Sequence, residues 1–174
     1  MKKIIYILFV SLLLFNDFSL ASEKKIVFID INRIFINSNA GKDLNSFIKQ
    51  KKKDLDDQVN ISVNEINSKK DKLAAQKNVL DSKEYSKKIK ELEDEIKKIN
   101  ASISKKNDEL IKLQKNIEAK FSQNLNSIIE EFSIENSIDM IFKKQQILMA
   151  KNEMDITMDI LNLFNKKINK IDID

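Results

Sequence analysis

IKELEDEIKKINASISKKNDELIKLQKNI, residues 89–117, places Ile89, Ile96, Ile103, Leu110 and Ile117 seven residues apart, with Leu92, Ile99 and Leu113 three residues after their partners. That spacing lays a narrow apolar stripe along one side of an α-helix and leaves the other sides charged, as in a coiled-coil seam. Lys106 and Lys120 interrupt the second row. Further on the stripe widens through Phe121, Leu125, Ile128, Ile129 and Phe132, as expected where a helix enters a thicker core. On the N-terminal side, Ile48, Leu55, Val59, Val63, Ile66, Leu73 and Leu80 form a second apolar side, and Val59, Ile66, Leu73 and Leu80 again recur every seven residues. The row beside them is poor, with Lys70 and Lys77 where apolar residues would continue.

Gly41 is the one Gly in the chain, and there is no Pro. Gly and Pro are the residues at which a backbone reverses cheaply, so the helical run over 42–132 can turn only at a polar capping site. The reversal is expected near 79–86. Asp81 and Ser82 are both good N-caps there, and Asp81 with Glu84 three residues on resembles a capping box. Two arms of about 40 to 50 residues would each span roughly 60–75 Å at 1.5 Å per residue.

Short β-prone segments flank this excursion. Lys25-Ile26-Val27-Phe28-Ile29-Asp30-Ile31 reads as a strand covered on both faces. Asn32 can cap a short helix carrying Ile34, Phe35 and Ile36, which Ser38-Asn39-Ala40-Gly41 would break. After 133–137, Ile138-Asp139-Met140-Ile141-Phe142 reads as a second strand and Ile147-Leu148-Met149-Ala150 as a third. Thr157 then caps a closing helix with Ile160, Leu161, Phe164 and Ile168 on one face. The fold class is mainly α with a small β body: a long antiparallel helical hairpin inserted in a small α/β domain. Such a body is a thin core for one chain, and self-association would supply the missing burial.

Residues 1–21 read as a cleaved secretory signal. Lys2 and Lys3 precede the apolar run 4–15, and Ser19-Leu20-Ala21 supplies small residues before a cleavage site after Ala21. That run is short for a membrane span of about 20 residues. With no Cys there is neither a lipid-attachment thiol nor a disulfide framework. With no His the commonest general base and metal ligand is missing. No phosphate-binding Gly loop, nucleophile elbow or metal-ligand spacing is present, so neither an enzyme nor a cofactor or metal site is expected. Asp30, the one acid in an apolar strand, is read as a strand-end or subunit-contact hydrogen-bonding group.

Beyond residue 21 the chain carries 29 Lys+Arg against 26 Asp+Glu, a mildly basic balance too weak to imply nucleic acid. Its distribution is uneven. Residues 69–106 hold 12 Lys against 7 acids, a net of +5, whereas 42–68 balance at 5 each and 107–133 hold 3 against 5. Positive charge thus gathers at the far end of the arms: Lys69, Lys70, Lys72, Lys77, Lys83, Lys87 and Lys88, interleaved with Leu73, Val79, Leu80 and Tyr85. These residues are the candidate contact surface; the alternative reading is a solvated face of the hairpin.

The segment Lys25-Ile26-Val27-Phe28-Ile29-Asp30-Ile31-Asn32-Arg33-Ile34-Phe35, running on to Ala40-Gly41-Lys42, resembles the N-terminal signature of the Skp/OmpH family of periplasmic chaperones. Ile138-Asp139-Met140-Ile141-Phe142, then 147–150, then Asp155-Ile156-Thr157 with Ile160 and Leu161, resembles that family's C-terminal strand–strand–helix signature. The resemblance implies a homotrimer shaped like a jellyfish, in which strands of three subunits form a body and three helical tentacles enclose a cavity. It implies a periplasmic holdase that keeps unfolded outer-membrane β-barrel proteins from aggregating, without ATP. Residues 22–41 and 133–174 would then be the trimerisation body and 42–132 the tentacle. Ile26, Val27, Phe28, Ile29, Ile31, Ile138, Met140, Ile141, Phe142, Ile147 and Leu148 would build the trimer body. A membrane or lipopolysaccharide contact stays open, with no residue assigned to it. Many members are strongly basic, and the mild charge here shifts the expected attraction onto the tip lysines. The competing expectation is a structural or adaptor coiled-coil protein of the cell envelope.

Overall fold

Val27, Phe28 and Ile29 are buried in a strand of a computed structural model that describes residues 24–173; the signal segment expected over 1–21 lies outside the described residues. The elements run β1 (Ile26–Ile29), α1 (Ile31–Asn37), α2 (Asn39–Ala75), α3 (Ser82–Glu135), β2 (Met140–Lys143) and α4 (Thr157–Lys167). Single 3-10 turns at Lys144–Gln146 and Asn152–Met154 link β2 to α4. The two strands pair in parallel, with Ile26 opposite Met140 and Ile29 opposite Lys143. A parallel pair cannot be joined by a tight turn and needs a crossover. Here the whole helical hairpin is that crossover.

Strand residues alternate between faces. Val27 and Ile29 lie in the core with Ile141 packed against it, whereas Ile26, Met140 and Phe142 are 39%, 49% and 38% exposed. The strand expected over 147–150 does not form. The far edge of β1 is taken by the chain before α4, where the Ile156 N–H donates to the Phe28 carbonyl at 3.1 Å and Asp155 bridges to Phe28. The turn at Lys144–Gln146 meanwhile bends the chain off β2, and Leu148 and Met149 are left exposed.

Two caps differ from the sequence expectation. Ile31 leaves the strand for α1, and the cap is Asp30, not Asn32: its Oδ1 accepts from the Arg33 N–H at 3.0 Å. Its Oδ2 lies 3.5 Å from the Lys144 ammonium, so Asp30 is a strand-end hydrogen-bonding residue, as expected. Thr157 begins α4 without capping it. The Asp155 carboxylate accepts from the Thr157 N–H, and the buried Thr157 hydroxyl accepts from the Asp30 N–H, both at 2.9 Å. At the other end of the hairpin, Ser137 closes α3 with φ 52, a left-handed turn that a Gly would make without the ~1 kcal/mol penalty a side chain incurs. Ile138 N–H donates to the Ser133 carbonyl at 3.0 Å there, a Schellman-type closure.

The break expected over 38–41 shrinks to Ser38 alone. Ser38 is fully buried and caps α2 by accepting from the Gly41 N–H at 3.1 Å, while its own N–H donates to Ile34 at 2.9 Å. Gly41 is therefore not a breaker. It lies inside α2, where a Cβ would sit 1.8 Å from the Phe35 carbonyl oxygen. The lone glycine allows α1 and α2 to touch backbone to backbone at their junction.

The core collects Val27, Ile29, Ile34, Leu44 and Ile117 with Phe121, Leu125, Ile128, Ile160 and Phe164. Phe121 meets Phe35 edge-on, with ring centroids 4.9 Å apart, and lies 5.0 Å from Phe164. The first turns of α2 and the last third of α3 therefore belong to the same core as the sheet. Substituting Gly41→Ala should cost about 1–3 kcal/mol through overpacking, despite the better helix propensity of Ala. Urea unfolding would read this as a lowered midpoint; an unchanged midpoint would show that the junction yields freely.

Candidate functional site

The two helices of the hairpin, 37 and 54 residues long, extend about 55 and 81 Å at 1.5 Å per residue. Their reversal is built as the capping pattern requires. Asp81 Oδ1 accepts from the Lys83 and Glu84 N–H groups, both at 2.8 Å, and Ser82 begins α3. The turn itself lies slightly earlier than the 79–86 expected. Gln76 caps α2, and its carbonyl accepts from the Val79 and Leu80 N–H groups at 3.0 Å. Leu80, expected to continue the α2 seam, is thus a turn residue.

Burial along the hairpin is graded. At the root Leu44, Ile117, Phe121, Leu125 and Ile128 are buried, and Leu55 lies just above them. Among residues 56–116, Ile66 alone is buried. Val59, Leu73, Leu92, Ile96, Ile99, Ile103, Leu110 and Leu113 are only half-covered, Val63 is 48% exposed and Ile89 36%. A two-helix seam with one good row has nothing to lay over its other side. Open hollows follow from this. One of about 460 Å³ at the root is lined by Ile31, Phe35, Ile48, Ile117, Glu118 and Phe121. Another of about 280 Å³ on the shaft is lined by Leu55, Ile61, Ile99 and Ile103 beside Lys106.

Polar contacts hold the wet part of the hairpin. Lys69 pairs with Glu95 across the arms, and Lys106 donates to Gln58. Lys87–Glu91 and Lys105–Glu109 are i,i+4 pairs at 3.9 Å. Both have Lys before Glu, the weaker order for such pairs, and exposed pairs of this kind stabilise by only about 0.3–0.5 kcal/mol.

Of the candidate tip residues, Lys70, Lys72, Lys77, Lys83, Lys87 and Lys88 are exposed and Leu73, Leu80 and Tyr85 half-buried. Val79 stands 82% exposed at the apex. Lys69 is engaged by Glu95, and Lys88 reaches Gln76 Oε1 at 3.3 Å. The residues assigned to a trimer body divide in two. Val27, Phe28 and Ile29 are buried within the chain, and Ile31, Ile138, Ile141 and Ile147 are half-buried. Ile26, Met140, Phe142 and Leu148 face out. Exposed apolar residues at Ile36, Phe47, Ile134, Met149 and Met158 were not singled out from the sequence. Ile36 could have been, because it lies two residues from the buried Ile34 and so on the opposite side of α1.

Among the described residues no cluster of acids could hold a metal ion. No helix there is long and apolar enough to cross a membrane. The burial gradient predicts graded hydrogen exchange. Amides near 76–81 should exchange roughly 100-fold faster or more than those of 117–128; equal protection along the hairpin would contradict the gradient.

The family model described as outer membrane protein (OmpH-like) matches residues 25–164. A crystal structure from Caulobacter crescentus, of a candidate outer membrane chaperone (OmpH-like), superposes with a TM-score of 0.61. It covers 87% of this chain and 89% of its own at 15% identity, a likeness of fold. No curated protein sequence gives a significant match. A helical hairpin between two paired strands, matched from β1 to α4, places this chain in the OmpH-like outer membrane protein family.

Proposed function

We propose that the protein is an ATP-independent periplasmic holdase that binds unfolded outer-membrane β-barrel proteins and prevents their aggregation. The observation that carries this is the distal hairpin, where 61 consecutive residues from 56 to 116 include one buried residue, Ile66. A helical pair built only to space its ends would gain by closing its seam. This one keeps Ile61, Val63, Ile89, Ile99 and Ile103 at least partly open to solvent. Membership of the OmpH-like family and the chaperone description of the Caulobacter crescentus protein support the same reading.

The mechanism needs no pocket and no bond-making. An unfolded barrel chain offers short alternating apolar segments, and a half-covered stripe meets them with many weak contacts. Lysines beside the stripe bury their stems while keeping the ammonium wet, so they adapt to different client sequences. Lys70, Lys72, Lys77 and Lys83, with Val79, would make the first contacts at the tip. The body would complete itself by association, two further copies covering the outward Ile26, Met140 and Phe142 of the sheet and the exposed Leu148 in a homotrimer. Three hairpins would then enclose a cavity that separates one sticky client from the next.

Diluting a urea-denatured barrel protein into buffer with the purified protein tests this. Light scattering should be suppressed at about one trimer per client, with no nucleotide added. Absence of suppression at any ratio would instead favour a structural or adaptor coiled coil of the envelope.

A further inference from the structure

Residues beyond the stretch shared with the family do not trail away from the fold. After α4 the chain runs without regular structure, and Ile171 returns to the core at 8% exposure, with Ile168 and Ile173 packed against it. The Lys120 ammonium on α3 donates to the Asp172 carbonyl at 2.9 Å. Lys170, Ile171, Asp172 and Ile173 share a hollow of about 330 Å³ with Asp43, Leu44 and Phe47 of α2. The tail therefore lies across the root of both arms, where the buried core gives way to the half-open seam.

We propose that residues 168–173 are a displaceable strap over an apolar seat at the hairpin root, which opens when an unfolded client segment takes its place. This rests on the holdase reading above and names the seat and its resident occupant. Three observations support displacement over permanent docking. The strap is anchored by one well-buried side chain, Ile171, and burying one isoleucine is comparable to or smaller than the entropy of ordering the residues that carry it. The strap does not close over α2: the hollow it shares with Asp43, Leu44 and Phe47 stays open to solvent. Phe47, at the edge of that hollow, is already 40% exposed, with the Lys51 ammonium 5.5 Å from its ring centroid.

The strap also has the chemistry of its competitor. Ile171 and Ile173 flank Asp172 in non-helical chain, with Lys170 and Asp172 exposed. That is the apolar–polar alternation of an unfolded barrel strand. A seat that holds this segment would hold such a strand with the same contacts, Leu44 and Phe47 on one side and the Lys120 ammonium for a backbone carbonyl on the other. Tethered to α4, the strap competes at a high effective concentration and sets a threshold that only clients with several contacts elsewhere on the arms exceed.

The test compares the full protein with a truncation after Ile168 and with Ile171→Asp, by hydrogen exchange and by binding of a urea-unfolded barrel protein. In the free full-length protein, amides of 169–173 should exchange at least ten-fold faster than those of Ile160–Phe164, and client should quicken them further. Both variants should bind client three- to ten-fold more tightly while exchange in Ile26–Ile29 stays unchanged. Tail exchange as slow as that of α4, or equal or weaker client binding by the variants, would make the tail a fixed staple and overturn the proposal. Loss of protection in Ile26–Ile29 in both variants would do the same. If neither the full protein nor the variants bind client, the holdase reading itself fails, and the strap's role as a cover fails with it.

Discussion

The parallel pairing of β1 with β2 obliges the chain to leave the sheet at one end and re-enter it at the other, and the long-range features follow from how it does so. Lys25 reinforces the pairing: its backbone N–H donates to the Asp139 carboxylate at 2.7 Å and its ammonium to the Asn136 carbonyl at 3.1 Å. The finish of the crossover is thereby clamped to the residue that precedes β1. Between them the chain turns at Ser38 and at 76–81, so the crossover becomes two antiparallel helices rooted side by side. At the other end of β1, Thr157 ties in the closing helix by accepting from the Asp30 N–H.

This constraint separates two kinds of helix surface within one helix. Near the sheet, α3 meets α1, α2 and α4 and can bury Phe121, Leu125 and Ile128 against them. Farther out it meets only α2, and one narrow helix cannot cover another. Weak K-to-E pairs and a single cross-arm ion pair, Lys69–Glu95, hold the distal part. Stability is therefore concentrated at the root, and adaptable apolar surface at the shaft and tip. The proposed holdase role would use that division, with arms that yield while the base persists.

Much of this was legible in the sequence because helical periodicity is a strong, repeated signal. The seven-residue recurrence from Ile89 to Ile117, the Asp81 cap and the widening at Phe121 all read directly onto α3. Short flanking elements were less legible for physical reasons. Asp30 and Asn32 are both competent caps, and only the bond from Thr157, 127 residues away, fixes where the strand stops. Residues 147–150 have strand composition, but the edge beside β1 was taken by Asp155 and Ile156, which no local pattern reveals. Gly41 looked like punctuation because close approach between helices leaves no trace in a single sequence. The candidate tip lysines were readable as a cluster, yet the engagement of Lys69 by Glu95 depends on the arm register. The burial of Ile171 was not read from the sequence, since Ile168, Ile171 and Ile173 are too short a pattern to tell which of them reaches the core.

The proposed trimer rests on outward apolar residues, Ile26, Met140 and Phe142 of the sheet and Leu148 after it. One chain leaves them open, and three chains would cover them while bringing three hairpins around a common space. The most direct measurement is the solution mass of the purified protein by light scattering, with and without an unfolded barrel protein. A trimer that gains the mass of one client is the result predicted. A monomer, with or without client, would contradict the account.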